Sequence, residues 1–65
     1  MRADIVRVKA AQVRPGHTIC FHNSRMDYKV EAVEDTRLGG IRFRHGSASD
    51  CVNPGDYVFI KKGDL

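Results

Sequence analysis

The stretch "VRPGHTICF" (Val13–Phe21) sets the fold, because it returns near the end of the chain as "VNPGDYVFI" (Val52–Ile60). Both run valine, any residue, proline, glycine, a polar residue, and then alternating apolar positions. Proline presets φ at the second position of a β-turn, and the following glycine tolerates positive φ, the signature of a type II turn. Each turn therefore launches a strand, and the valine before it plugs the core beneath. Two copies are too few and too short for a repeat protein.

Working outward, short alternating segments are separated by turn residues. Strands are expected over 4–9 ("DIVRVK"), 17–22 ("HTICFH"), 28–36 ("YKVEAVEDT"), 40–45 ("GIRFRH") and 56–62 ("DYVFIKK"). The connections are "AAQVRPG", "NSRMD", "RLGG" and "GSASDCVNPG". Helix evidence is poor, since the best candidate, "VKAAQV", is stopped by Arg14-Pro15-Gly16. The expected fold is all-β, a small five-stranded antiparallel barrel forming one domain over residues 1–65.

Period-two alternation assigns the faces. Ile19 and Phe21 point one way, with Thr18, Cys20 and His22 opposite. Val58 and Ile60 share a face, and Phe59 lies on the other. Ile41, Phe43 and His45 share a third, which leaves Arg42 and Arg44 together on the opposite side. Val30 and Val33, three apart, break the alternation, and a bulge near Glu31-Ala32 would return both to the core.

The pattern V-x-P-G-x-x-I, then Y-x-V-x-x-V, a Gly-rich hairpin and a closing V-x-P-G-D-x-V-x-I resembles the SH3-like small barrels. The nearest likeness is to KOW-type domains such as the N-terminal domain of elongation factor P. The resemblance covers residues 10 to 60 and rests on turn and core positions. It implies an SH3-like barrel and a leaning toward nucleic acid. In elongation factor P the loop between the third and fourth strands carries a functional lysine flanked by glycines. Here that loop is Arg37-Leu38-Gly39-Gly40, with no lysine, so that specific activity does not carry over.

Size and composition narrow the function classes. A chain of 65 residues buries only about 60% of its unfolded surface. Ligand pockets usually need about 300 Å³ or more, which such a core rarely encloses. The chain is 42% hydrophobic and 29% charged, with a net charge of +3, a balance that favours acidic partners. No run approaches the roughly 18 apolar residues of a membrane helix, so no membrane partner is expected. The start, "MRADIVRVKA", has no apolar h-region, and a reducing cytoplasm is the expected address. Cys20 and Cys51 are accordingly expected as free thiols acting as small apolar fillers.

The chemistry concentrates in "RLGGIRFRHG" (Arg37–Gly46). The candidate nucleic-acid contacts are Arg37, Arg42 and Arg44, joined by Arg25 and Lys29. Placing Val33 across from Phe43 puts Glu34 across from Arg42 and Ala32 across from Arg44. Cross-strand opposite charges stabilise a sheet without any ligand, so the same arginines also read as a solvated, partly paired surface. In that register Glu34 holds Arg42, Arg44 has no direct partner and meets Glu31 only where the bulge permits, and Arg37 is uncommitted at the tip.

Outward aromatics are few, so backbone contact is favoured over base readout. His17, Cys20, His22, His45 and Cys51 lack the tightly spaced ligand pairs of structural zinc sites, and neither a metal nor a cofactor is expected. Asp50-Cys51 with a distant His45 lacks the orienting group and oxyanion site of a cysteine nucleophile, and no catalysis is expected. The remaining partner class is another protein, met by an exposed strand edge or by the Phe59 face. A small phage or mobile-element accessory protein that binds a host factor would have such a frame.

Overall fold

The computed structural model describes residues 2–65. Seven strands form two antiparallel sheets: β1 (Ile5–Lys9), β2 (Thr18–Cys20), β3 (Tyr28–Lys29), β4 (Ala32–Asp35), β5 (Ile41–His45), β6 (Ala48–Val52) and β7 (Tyr57–Lys61). One sheet has the order β1-β7-β2-β3, and the other runs β4-β5-β6. The all-β expectation holds, but the five-stranded closed barrel does not. Two separate sheets cover one core instead.

Two features of the chain account for the difference. The segment 28–36, expected as one strand, is divided between the sheets. Val30 donates its N–H to the His17 carbonyl at 2.9 Å, alongside the first sheet. Glu31 donates to the Arg44 carbonyl at 2.8 Å, alongside the second. The break in alternation at Val30–Val33 is therefore a crossing between sheets, in place of the expected bulge. Val30 remains buried and Val33 packs against the core.

The second feature is β6, which lies in a segment expected as a connection. It pairs along all of β5, from Ile41↔Val52 to His45↔Ala48. Its first four residues are exposed, and only Val52 packs inward. A strand held by ladder hydrogen bonds on a wet edge needs no alternating apolar residues.

The two V-x-P-G turns share their capping but not their type. Each closes a backbone hydrogen bond, His17 N–H to Arg14 O at 3.1 Å and Asp56 N–H to Asn53 O at 3.0 Å. In each, the first residue's N–H is also accepted by the fourth residue's side chain, His17 Nδ1 or Asp56 Oδ2. Gly16 has φ +98°, as a type II turn requires. Gly55 is not among the positive-φ glycines of the described residues, which corrects the type II expectation for the second turn. Both valines behave as expected beneath their turns: Val13 is fully buried and Val52 packs on the core.

The core joins Ala10, Val13, Ile19, Val30, Ile41, Phe43 and Ile60, and both sheets contribute to it. Phe21, Val33 and Val58 are half-buried against it. "VKAAQV" yields only a three-residue 3-10 turn, Ala10–Gln12. The sheets are further joined by a stack of Tyr28 from β3 on His45 from β5, with centroids 3.7 Å apart and planes 18° from parallel. Asp50 on β6 stands 3.5 Å from His45 Nε2. Burial, then a hydrogen bond to Asp50 and the charge of that carboxylate, push the Tyr28 hydroxyl well above its usual pKa.

The two thiols are free and sit in opposite environments. Cys20 is buried and Cys51 is exposed, so the reading of Cys51 as an apolar filler fails. Burial, and after it the Asp27 carboxylate, raise the Cys20 pKa, which suppresses its thiolate. A disulfide reagent should therefore titrate one thiol in the native protein and two in denaturant. Equal reactivity of both thiols in the native state would contradict this packing.

Candidate functional site

The β4–β5 hairpin is built tightly. Thr36 donates its N–H to the Gly40 carbonyl at 2.9 Å, and Gly39 donates to the Thr36 carbonyl at 3.1 Å. The Thr36 hydroxyl accepts from Gly40 N–H at 2.9 Å. A Cβ on Gly40 would meet both Thr36 Oγ1 and the Val52 carbonyl at 3.1 Å, so the bare Gly40 lets β6 approach the turn, while Gly39 supplies the positive φ, +82°. Arg37 and the almost wholly exposed Leu38 occupy the tip.

The ladder follows the expected register, with Val33↔Phe43, Glu34↔Arg42 and Ala32↔Arg44. The ion pairing does not. Glu34 reaches diagonally to accept from Arg44 Nε, as partners two residues out of register can. Glu31 accepts from the Gly46 N–H instead of meeting Arg44. Arg42, assigned to Glu34 by register, is thus released, and Arg44, expected to meet Glu31, is held by Glu34 instead.

Arg37 and Arg42 line an open hollow of about 800 Å³ between the hairpin, the end of β6 and the second V-x-P-G turn. Among the described residues neither has a carboxylate at ion-pair distance. Asp35 and Asp56 share the rim with Thr36, Cys51 and Asn53. Asp56 is occupied in part by accepting the Asn53 N–H. The hollow therefore mixes two guanidinium groups with two carboxylates.

Arg25 and Lys29 are not gathered with the hairpin arginines. Arg25 lies in the 3-10 turn Ser24–Met26, and Lys29 lies on β3 of the four-stranded sheet. Both are exposed, and neither lines the hollow. The sequence grouping of five cations resolves into one pair, one partnered arginine, and two residues elsewhere.

A further basic element is invisible to sequence pattern. Arg2 donates to both oxygens of Asp27 at 2.8 Å and to the Phe21 carbonyl at 3.3 Å. It also donates to Asp4 at 3.0 and 3.2 Å. Its hydrogen bonds to Asp4 and Asp27 hold the guanidinium more firmly protonated than usual. This network consumes Arg2, Asp4 and Asp27 locally, so none of the three is left for a ligand. Asp27 is 25 residues from Arg2, too far for local spacing to join them.

Among the described residues no three His, Cys, Asp or Glu side chains are gathered as a metal-binding group. No helix among them is long and apolar enough to cross a membrane. Comparison with family models, with curated proteins and with solved structures found no match to this chain.

Proposed function

We propose that the chain is a non-catalytic binding protein that grips the phosphate backbone of nucleic acid through its β4–β5 hairpin. One observation carries this: Arg37 and Arg42 line a common open hollow, and among the described residues neither has a carboxylate at ion-pair distance. A guanidinium fork gives two hydrogen bonds to a phosphate, and each neutralised phosphate releases counterions. The likeness of the turn-and-core pattern to KOW-type barrels supports the same leaning.

Changing both Arg37 and Arg42 to glutamine is expected to nearly abolish binding to mixed-sequence DNA or RNA while the melting temperature is kept. The log–log salt dependence should flatten by roughly 0.7 to 0.9 for each phosphate no longer neutralised. Arg44→Gln should matter least, because Glu34 already engages Arg44. Asp35→Asn should tighten binding by removing a carboxylate from the rim. No binding by the unaltered protein at about 50 mM salt, where backbone contacts are strongest, would refute the proposal.

A second reading is favoured by one observation, the wet edge strand β6. It is last in its sheet and exposed along four of its five residues. An extended segment of a protein partner adds to such an edge by backbone pairing.

A further inference from the structure

The outer face of the four-stranded sheet carries a combination that the sequence did not reveal. The register pairs Arg7↔Phe59, Lys9↔Tyr57 and Ile5↔Lys61, and paired residues project to the same side of a sheet. Val6, Val8 and Val58 pack inward against the core and Ile60 is part of it, so Arg7, Lys9, Tyr57, Phe59 and Lys61 face outward. Tyr57 is 54% and Phe59 44% exposed, unusually open for large rings with a core close by. Lys29 joins the same face through its pairing with Thr18, because Thr18 shares that face with Cys20, the partner of Phe59.

The geometry points to this face as a stacking platform for single-stranded nucleic acid. The reading rests on nucleic acid as the partner but not on the hairpin. Two open rings alternate along β7 with cations from β1 and β7, the arrangement by which bases stack while the backbone is neutralised. The Arg7 guanidinium lies over the Tyr57 ring, 4.5 Å from its centroid, and covers one of its faces, so a base stacks there on the guanidinium or on the other face of the ring. Beside Phe59 opens a second hollow, of about 550 Å³, lined by Ile5, Phe21, His22 and Arg2. It offers a place for a base next to the ring.

Charge complementarity selects the occupant. Beside this face Asp4 and Asp27 are both held by Arg2, and Asp64 is engaged in accepting the Thr18 N–H at 2.8 Å. Arg7, Lys9, Lys29 and Lys61 have no ion-pair partner among the described residues. An acidic peptide would meet the cations but leave the two rings unused. A single strand uses both.

Binding of a fluorescein-labelled single-stranded oligothymidylate, an abasic strand of equal length, a duplex and polyglutamate tests the assignment. Tyr57→Ala and Phe59→Ala should each weaken oligothymidylate binding about 5- to 100-fold and leave the abasic strand unaffected. Tyr57→Phe and Phe59→Tyr should bind as the unaltered protein does, which separates stacking from general damage. Changing Arg37 and Arg42 to glutamine should weaken both strands alike. If only the hairpin variant loses affinity, the platform is overturned and the hairpin stands. If only the ring variants do, the platform stands and the hairpin falls. Equal affinity for the abasic strand, or tighter binding of polyglutamate, also overturns the platform.

Discussion

Phe43→Ala should unfold this protein at room temperature. Phe43 sits at the middle of β5, the central strand of its sheet, and is 1% exposed. It pairs with Val33 on one side and with Asp50 on the other. Truncating a buried phenylalanine removes its transfer energy and leaves a cavity, together about 3–5 kcal/mol. Domains of this size often have no more than that in reserve, and the core cluster has only seven buried members. Circular dichroism and thermal melting check the result. A cooperative transition at the unaltered melting temperature would show that the two sheets do not share one core.

Asp27→Ala should produce the next largest loss. The Asp27 carboxylate accepts from Arg2 at 2.8 Å and from the Phe21 N–H at 3.1 Å. Its side chain is 14% exposed and that of Arg2 18%. Removing it leaves the Phe21 N–H without its acceptor and takes two of the bonds from the Arg2 guanidinium, which keeps only Asp4 and the Phe21 carbonyl, at a cost of about 1–3 kcal/mol. A domain of this length loses roughly 4–8 °C of melting temperature per kcal/mol.

The same carboxylate predicts a pH effect. Burial disfavours its ionised form, but the hydrogen bonds from Arg2 and Phe21 outweigh this and hold its pKa below the ordinary value. A group with a depressed folded-state pKa stabilises the fold above its unfolded pKa, near 3.9. That contribution fades as pH falls toward the folded-state value. The unaltered protein should therefore lose stability below about pH 4 more steeply than Asp27→Ala. Parallel acid-unfolding curves would contradict the role given to Asp27.

What the sequence disclosed follows from which interactions are local. Turn chemistry at Pro15-Gly16 and Pro54-Gly55 and alternation around Ile19, Phe43 and Ile60 located five strand regions and most of the core. The Val33↔Phe43 register also followed, because one slipped residue would turn Phe43 outward. Strand β6 was hidden because an exposed edge leaves no apolar period. The division of 28–36 was hidden because a crossing between sheets and a bulge both break alternation at Val30–Val33.

The candidate site was legible only as a concentration of charge. Strand pairing fixed which residues stand opposite, but a long side chain chooses among several neighbours. Glu34 chose Arg44 over Arg42. The Phe59 face was legible from alternation, but the cations gathered beside it were not, for a different reason. Tyr57 and Phe59 lie only two apart in β7, but the cations beside them come largely from β1, about fifty residues earlier, and only the β1–β7 pairing brings them together.

The most direct measurement is an amide chemical-shift titration of the isotopically labelled protein with a single-stranded oligonucleotide at about 50 mM salt. Saturable shifts are expected around Arg37 and Arg42 and along β1 and β7, receding together as salt is raised. Shifts confined to the β6 edge, or no shifts at all, would contradict nucleic-acid binding by either surface.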